Sequence, residues 1–159
     1  MPNTFLQIAD LPSAGAEDKG WIPVKNVSSG VTSEIGKFER GKARVVNLSE
    51  HNDMEVKKPM DRASPFLSVC CSDGRLLKAV TLAFTRDGEK EIYLKLEMKN
   101  VYVSEVSCDI ADGEEPDETV KFNYESIVWK FRPKLKSGQL GAWVQGGWDR
   151  SEGKEIAGA

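Results

Sequence analysis

Histidine is almost missing from this 159-residue chain, where His51 stands alone. A centre needing two or three imidazole ligands cannot be assembled within one copy. Cysteine is scarce and odd in number: Cys70, Cys71 and Cys108 make neither a disulfide framework nor a C-x-x-C metal clamp. They read as reduced, buried thiols of a domain folded in the cytoplasm. No apolar run approaches the roughly 18 residues of a spanning helix, so membrane insertion is not expected. The opening Met1-Pro2-Asn3-Thr4-Phe5 has no basic segment leading into an apolar one, so no ordinary secretory signal is read there. Export, if it occurs, would use another route. Net charge is small, 22 Lys and Arg against 25 Asp and Glu for −3, which argues against a nucleic-acid partner.

Catalytic signatures are equally thin. G-x-S-x-G does not occur, and Gly138, Gly141, Gly146 and Gly147 lack the Lys-Ser/Thr that completes a phosphate loop. His51 sits in the polar run Ser49-Glu50-His51-Asn52-Asp53 and reads as an exposed residue. No catalytic residue, cofactor or metal site is expected, and the chain does not read as an enzyme.

What is present is a core and a period. A chain of 17.6 kDa exposes about 25,000 Å² unfolded and about 8,000 Å² folded, enough burial for one domain. We take that domain as 1–159, with its body from Thr4 to Asp149 and a short flexible C-terminal tail. Most of it alternates apolar and polar residues with period two, the signature of strands. Phe5, Leu6 and Ile8 open a strand ending at Asp10-Leu11-Pro12, and a loop of small and charged residues runs to Gly20. Trp21 to Val31 and Lys42 to Lys58 are again extended. Val80, Leu82 and Phe84 lead into a tight turn at Arg86-Asp87-Gly88-Glu89. One long strand follows through Ile92, Leu94, Leu96, Met98, Val101, Val103, Val106, Cys108 and Ile110, its inward parity switching twice as if bulged. Thr119 to Arg132 behaves alike, predicting a bulge near Glu125 or Ser126.

A single helix is expected between Ser64 as N-cap and Gly74 as C-cap, with Pro65 in its first turn. Phe66, Leu67, Cys70 and Cys71 share its apolar face. Strands that bend and flip parity suit a small closed barrel. The expected fold is therefore mainly β, an antiparallel β-barrel with one short α-helix packed beside it.

Two charged stretches remain. Asp109 to Glu118 holds six carboxylates in ten positions without the spacing of a calcium loop, and reads as a solvated connection between strands. Lys130, Arg132, Lys134 and Lys136 alternate along the last long strand and read as its wet side.

Strings along the chain are similar to those of the haemolysin-coregulated protein (Hcp) family, the tube subunits of type VI secretion systems. They are Gly20-Trp21-Ile22, Asp61-Arg-Ala-Ser-Pro65 with Cys70 and Gly74, and Glu91-Ile-Tyr-Leu-Lys-Leu with Val101-Tyr-Val-Ser-Glu-Val-Ser107. Glu118-Thr-Val-Lys-Phe-Asn-Tyr124, Ile127-Val-Trp129 and Gly147-Trp148-Asp149 follow in the family's order. Where many members place tryptophans around a serine, this chain has Val27-Ser28-Ser29-Gly30-Val31.

The resemblance implies a β-barrel subunit, like that of phage tail tubes, that forms hexameric rings. The rings would stack into a tube assembled in the cytoplasm and then secreted without a signal peptide. Its partners would be further copies, spike and sheath components, and small effectors carried in the pore. Ser28 falls at the family's lumen-facing serine. Lys37, Arg40, Lys42, Lys57 and Lys58 are expected at ring–ring or subunit contacts, in the long polar region from Lys37 to Lys58. A phage-like tail-tube protein and a monomeric barrel for a small apolar ligand are the alternatives.

Overall fold

The computed structural model describes residues 2–12 and 20–156, so most of the loop expected before Gly20 lies outside the described residues. Along the chain come β1 (Thr4–Ile8), β2 (Trp21–Pro23), β3 (Asn26–Ser28), β4 (Val31–Ile35), β5 (Val46–His51) and β6 (Met54–Pro59). Then follow α1 (Ser64–Asp73), β7 (Leu77–Thr85), β8 (Ile92–Cys108), β9 (Asp117–Phe131), β10 (Val144–Asp149) and β11 (Lys154–Ile156). The extended reading of Lys42 to Lys58 is interrupted at Asn52-Asp53, between β5 and β6. Lys154–Ile156 pairs with β10, so ordered structure runs beyond Asp149 into the segment expected as a tail.

Period two does what it must in a one-sided sheet. Leu6, Leu82, Leu96 and Trp129 align across β1, β7, β8 and β9, and Ile8, Val80, Met98 and Ile127 form the next row. Apart from the half-buried Trp129 these side chains are buried, and each large aliphatic one contributes about 1.5–3 kcal/mol. Across β3, β6, β9 and β8 the inward row is Val27, Val56, Val120 and Val106.

The bend expected near Glu125 exists without a bulge there. Leu77 and Val80, Met98 and Val101, and Tyr124 and Ile127 are all buried, so three neighbouring strands switch inward parity at one level. Register holds across it, Lys99 pairing with Ser126 and Val101 with Tyr124. Between them Asn100 has φ of 53°, a left-handed conformation that Asn tolerates better than most residues. The strands crease together instead of one gaining a residue. True register steps lie elsewhere, between Val103 and Glu105 in β8 and at Phe84/Thr85 in β7.

The expected barrel is also corrected. Hydrogen-bonded order runs β11-β10-β9-β8-β7-β1-β2, with β6 branching from β9 and carrying β3, so the sheet curls but no ladder among the described residues closes it. The two ends meet along the chain. The Val24 N–H donates to the Thr4 carbonyl at 3.0 Å and the Lys25 N–H to the Lys57 carbonyl at 2.8 Å. Because β2 and β3 lie end to end, they cannot pair side by side. The Arg86–Glu89 turn forms as expected, with the Glu89 N–H on the Arg86 carbonyl at 2.9 Å.

Helix α1 packs against β8, burying Leu67 and Cys70. Gly74 ends it at φ of 67°, its N–H on the Cys70 carbonyl. Ser64 is not the cap: Ala63 occupies that position with no side-chain cap bond. The Ser64 hydroxyl turns inward instead, donating to Glu118 Oε1 at 2.8 Å. Lys58 pairs with the same oxygen at 2.6 Å and with Asp61 Oδ1 at 2.8 Å. Lys58 and Glu118 are 0% and 1% exposed and face each other in the β6–β9 ladder. Lys58 is therefore not a surface contact, as its charge suggested, but the centre of a buried cluster tying β6, the start of α1 and β9. Of the thiols, Cys70 is buried, which raises its pKa, whereas Cys108 is exposed, contrary to the reading of all three as buried.

Two stability outcomes follow, both measurable by urea unfolding. Lys58→Met leaves the Glu118 carboxylate buried without its partner and costs about 3–5 kcal/mol; replacing Glu118 by Leu in addition recovers part of the loss. Asn100→Ala costs about 1 kcal/mol for a left-handed alanine, while Asn100→Gly is milder.

Candidate functional site

Ser28 lies at the exposed end of β3, on the wet side of the branch formed by β3, β6, β9 and β8. Register builds this face in rows: Ser28, Glu55, Lys121 and Glu105, then Asn26, Lys57, Thr119 and Ser107. Its two lysines and two glutamates cancel in charge. A cleft of 370 Å³ lined by Ser28, Ser29, Asn52, Asp53, Glu55 and Lys121 opens at the first row. At its edge Asp53 accepts from Ser104 Oγ at 2.6 Å and Asn123 Nδ2 at 2.8 Å, which fixes the carboxylate. The wall is hydroxylic, mixed in charge and free of large apolar side chains in these rows.

Beyond this wall β4 and β5, among the described residues, pair only with each other and form an arm. Every residue of β4 is exposed, as is β5 up to Glu50. Lys37, Arg40 and Lys42 stand exposed in its tip, where Lys42 pairs with Glu39 at 3.0 Å. Apolar side chains accompany them: Phe38 is 71% exposed, Val46 66% and Leu48 89%. Ile35 faces Val46 across the arm.

A second uncovered apolar surface lies at the far end of the sheet, where the inward row Phe84, Leu94, Phe131 and Val144 runs out of core. Phe131 is 43% and Val144 66% exposed. Two arginines rim it, Arg86 stacked on Tyr93 at 4.2 Å and Arg132 on Trp143 at 4.5 Å. The strand lysines are satisfied locally, Lys130 with Glu97 and Lys134 with Glu89.

His51, read as exposed, is half-buried at the arm's root. Its Nδ1 lies 2.7 Å from Tyr124 Oη, and its ring stacks on Trp129 at 6.2 Å between centroids. Burial, and then the Arg150 charge, lowers its pKa. Burial likewise raises that of Tyr124. No local sequence signal marks this contact, since its partners are more than 70 residues away.

The expected surface residues thus divide. Ser28 and Lys57 share the polar wall, Lys37, Arg40 and Lys42 share the arm, and Lys58 belongs to the interior. Among the described residues no helix is long and apolar enough to cross a membrane.

Comparison with known proteins agrees with this geometry. Residues 7–131 match the model of the family "Type VI secretion system effector, Hcp". Protein hcp1 of Pseudomonas aeruginosa is 30% identical over 101 residues, 61% of this chain and 62% of that protein. The match thus spans less than two thirds of that relative's length. A type six secretion system protein of known structure superposes with a TM-score of 0.87 at 23% identity, covering 98% of this chain and 100% of that one. Hcp1 from Salmonella typhimurium does so with a TM-score of 0.76 at 23% identity, over 97% and 98% of the two chains. A curled sheet with one short helix and a projecting arm, matched over most of its length by that model, makes this chain a member of the Hcp family of type VI secretion proteins.

Proposed function

We propose that the chain is a structural tube subunit that joins with copies of itself into hexameric rings, which stack and are expelled with their contents. The observation that carries this is the pair of unlike uncovered apolar surfaces on one protomer: the arm, with Ile35, Val46 and Leu48, and the sheet end, with Phe131 and Val144. Neighbouring exposed apolar side chains of this kind favour an interface. Two different patches on one chain favour head-to-tail contact, which closes into a ring when the rotation permits. Lys37, Arg40 and Lys42 in the arm, with Lys57 on the wall, set register at ring–ring or subunit contacts, where charge contributes more to specificity than to affinity.

The polar wall around Ser28 suits a lumen through which small effectors must later slide. Short hydroxyls and balanced charge hold a folded cargo weakly and give it no large apolar surface on which to stick. In this reading the tube assembles in the cytoplasm between spike and sheath components, is secreted without a signal peptide, and performs no catalysis.

Native mass measurement with negative-stain imaging tests the assembly: six copies in an annulus are expected, and a solitary particle at high concentration overturns it. Ile35→Asp with Val46→Asp should lower ring affinity about 100-fold while moving the urea midpoint little, because both side chains are exposed in the protomer. Ser28→Arg should leave the annulus intact and weaken retention of a co-expressed effector about tenfold, or ~1.4 kcal/mol. Loss of the ring in that variant would remove Ser28 from the lumen.

A further inference from the structure

We propose that His51 is a pH-sensitive latch that fastens the β4–β5 arm to the sheet and lets go when protonated. The arm makes its own two-stranded sheet, closed at its base by the Asn52 N–H on the Gly30 carbonyl at 2.9 Å. His51 alone in β5 is withdrawn from solvent, wedged between the edge of Tyr124 and the face of Trp129 at centroid distances of 5.6 and 6.2 Å. Tyr124 is 2% exposed, so its hydroxyl depends on the imidazole for a partner.

The charges around the pair set the direction of the switch. Arg150, from the turn after β10, donates to the Tyr124 carbonyl at 2.7 Å and lies over the Tyr124 ring at 5.6 Å. Asp53, before β6, is the carboxylate acting on Tyr124, but its oxygens are occupied by Ser104 and Asn123. Glu125, in β9, is bonded to Asn100, and Glu50, in the arm, pairs with Thr32 across the ladder rather than with the Val31–His51 level. Among the described residues no carboxylate is paired with His51 to hold a cation there. A neutral ring with its proton on Nε2 accepts at Nδ1 from the Tyr124 hydroxyl. In a protonated ring Nδ1 becomes a donor, so the hydroxyl must turn to accept and its own proton loses this acceptor, while the added charge is opposed by Arg150.

Docking therefore favours the neutral ring, consistent with its lowered pKa. The sign follows from linkage: the latch is fully effective above the ordinary histidine value near 6.5, and weakens as pH falls from there toward the lowered value of the docked ring. Each unit between the two is about a tenfold loss of docking on protonation. With a single histidine in the chain, imidazole titration between pH 5 and 7 reports this site alone. The effect on assembly rests on the arm being the contact between copies; the latch itself is a property of one protomer.

The test uses the full chain at pH 7.5 and 5.5. The His51 titration midpoint, followed by NMR, should lie below 6.5 and rise toward it in Arg150→Gln. Amide exchange in Val31–Ile35, corrected for intrinsic rates, should increase several-fold at pH 5.5 in the wild type and stay flat in His51→Gln. Rings seen by sedimentation should dissociate in parallel in the wild type only. A midpoint at or above 6.5, or equal acid loosening in His51→Gln, overturns the latch. Absence of rings at pH 7.5 instead defeats the assembly reading, and the midpoint and exchange still decide the latch. Should His51→Gln not fold, the shift in Arg150→Gln decides it.

Discussion

Strands β7, β8 and β9 change their inward parity at one common level, and much of the molecule's surface is arranged around that crease. A sheet with one dry face must keep apolar side chains inward along every strand. When one strand bends alone, the row it belongs to is broken. Here Leu77/Val80, Met98/Val101 and Tyr124/Ile127 switch together, so the core continues through the bend with its register intact. On one side of the crease the sheet carries the branch whose outer face is the polar wall. On the other it runs out into the half-exposed Phe131 and Val144. Tyr124 and Trp129, which receive the arm's root, lie on opposite sides of the crease. Asn100 supplies the local backbone freedom for β8 to follow the bend.

The cluster of Lys58, Glu118, Ser64 and Asp61 fixes how the branch strand β6 sits against β9. A buried ion pair is a poor source of net stability, because desolvating two charges offsets most of their attraction. Its effect is selective. A β6 shifted by one residue would place Lys58 outside and leave Glu118 buried without a cation. A helix displaced from its start would take the Ser64 hydroxyl and the Asp61 carboxylate with it. The cluster penalises wrong registers at the place where the sheet branches, where neighbouring strands constrain it least.

Much of this was written in the alternation of the sequence, including parts that charge obscured. The long strands, the tight turn at Arg86–Glu89, the helix and its Gly74 ending all follow from period and punctuation. Lys58 shares parity with Met54 and Val56, and Glu118 with Val120 and Phe122. Parity alone therefore points both inward, although a charged residue beside a polar run invites a surface reading. Ser64 has the chemistry of a cap, but a buried carboxylate competes for its hydroxyl and wins. Other features had no local signal. Barrel closure depends on whether β2 and β3 lie side by side or end to end, and His51 meets partners far along the chain. For the polar wall the residues were legible, but their meeting in one face required the register of four strands.

A tube subunit of the proposed kind would have to reconcile firm rings with a tube that comes apart, and the distribution of surfaces in this chain is suited to that. Apolar area, which gives affinity without direction, includes clusters on the arm and at the open sheet end. The arm's tip adds the exposed Lys37, Arg40 and Lys42, whose contribution in the proposed rings would be screened by salt and set alignment more than strength. The wall around Ser28 has neither large apolar side chains nor net charge in its central rows, so a cargo held there, as proposed, would lose little on leaving. In the proposed tube, affinity would reside where subunits meet and be withheld where contents must move. An arm joined to the sheet at one narrow root is the element through which that affinity is most readily adjusted.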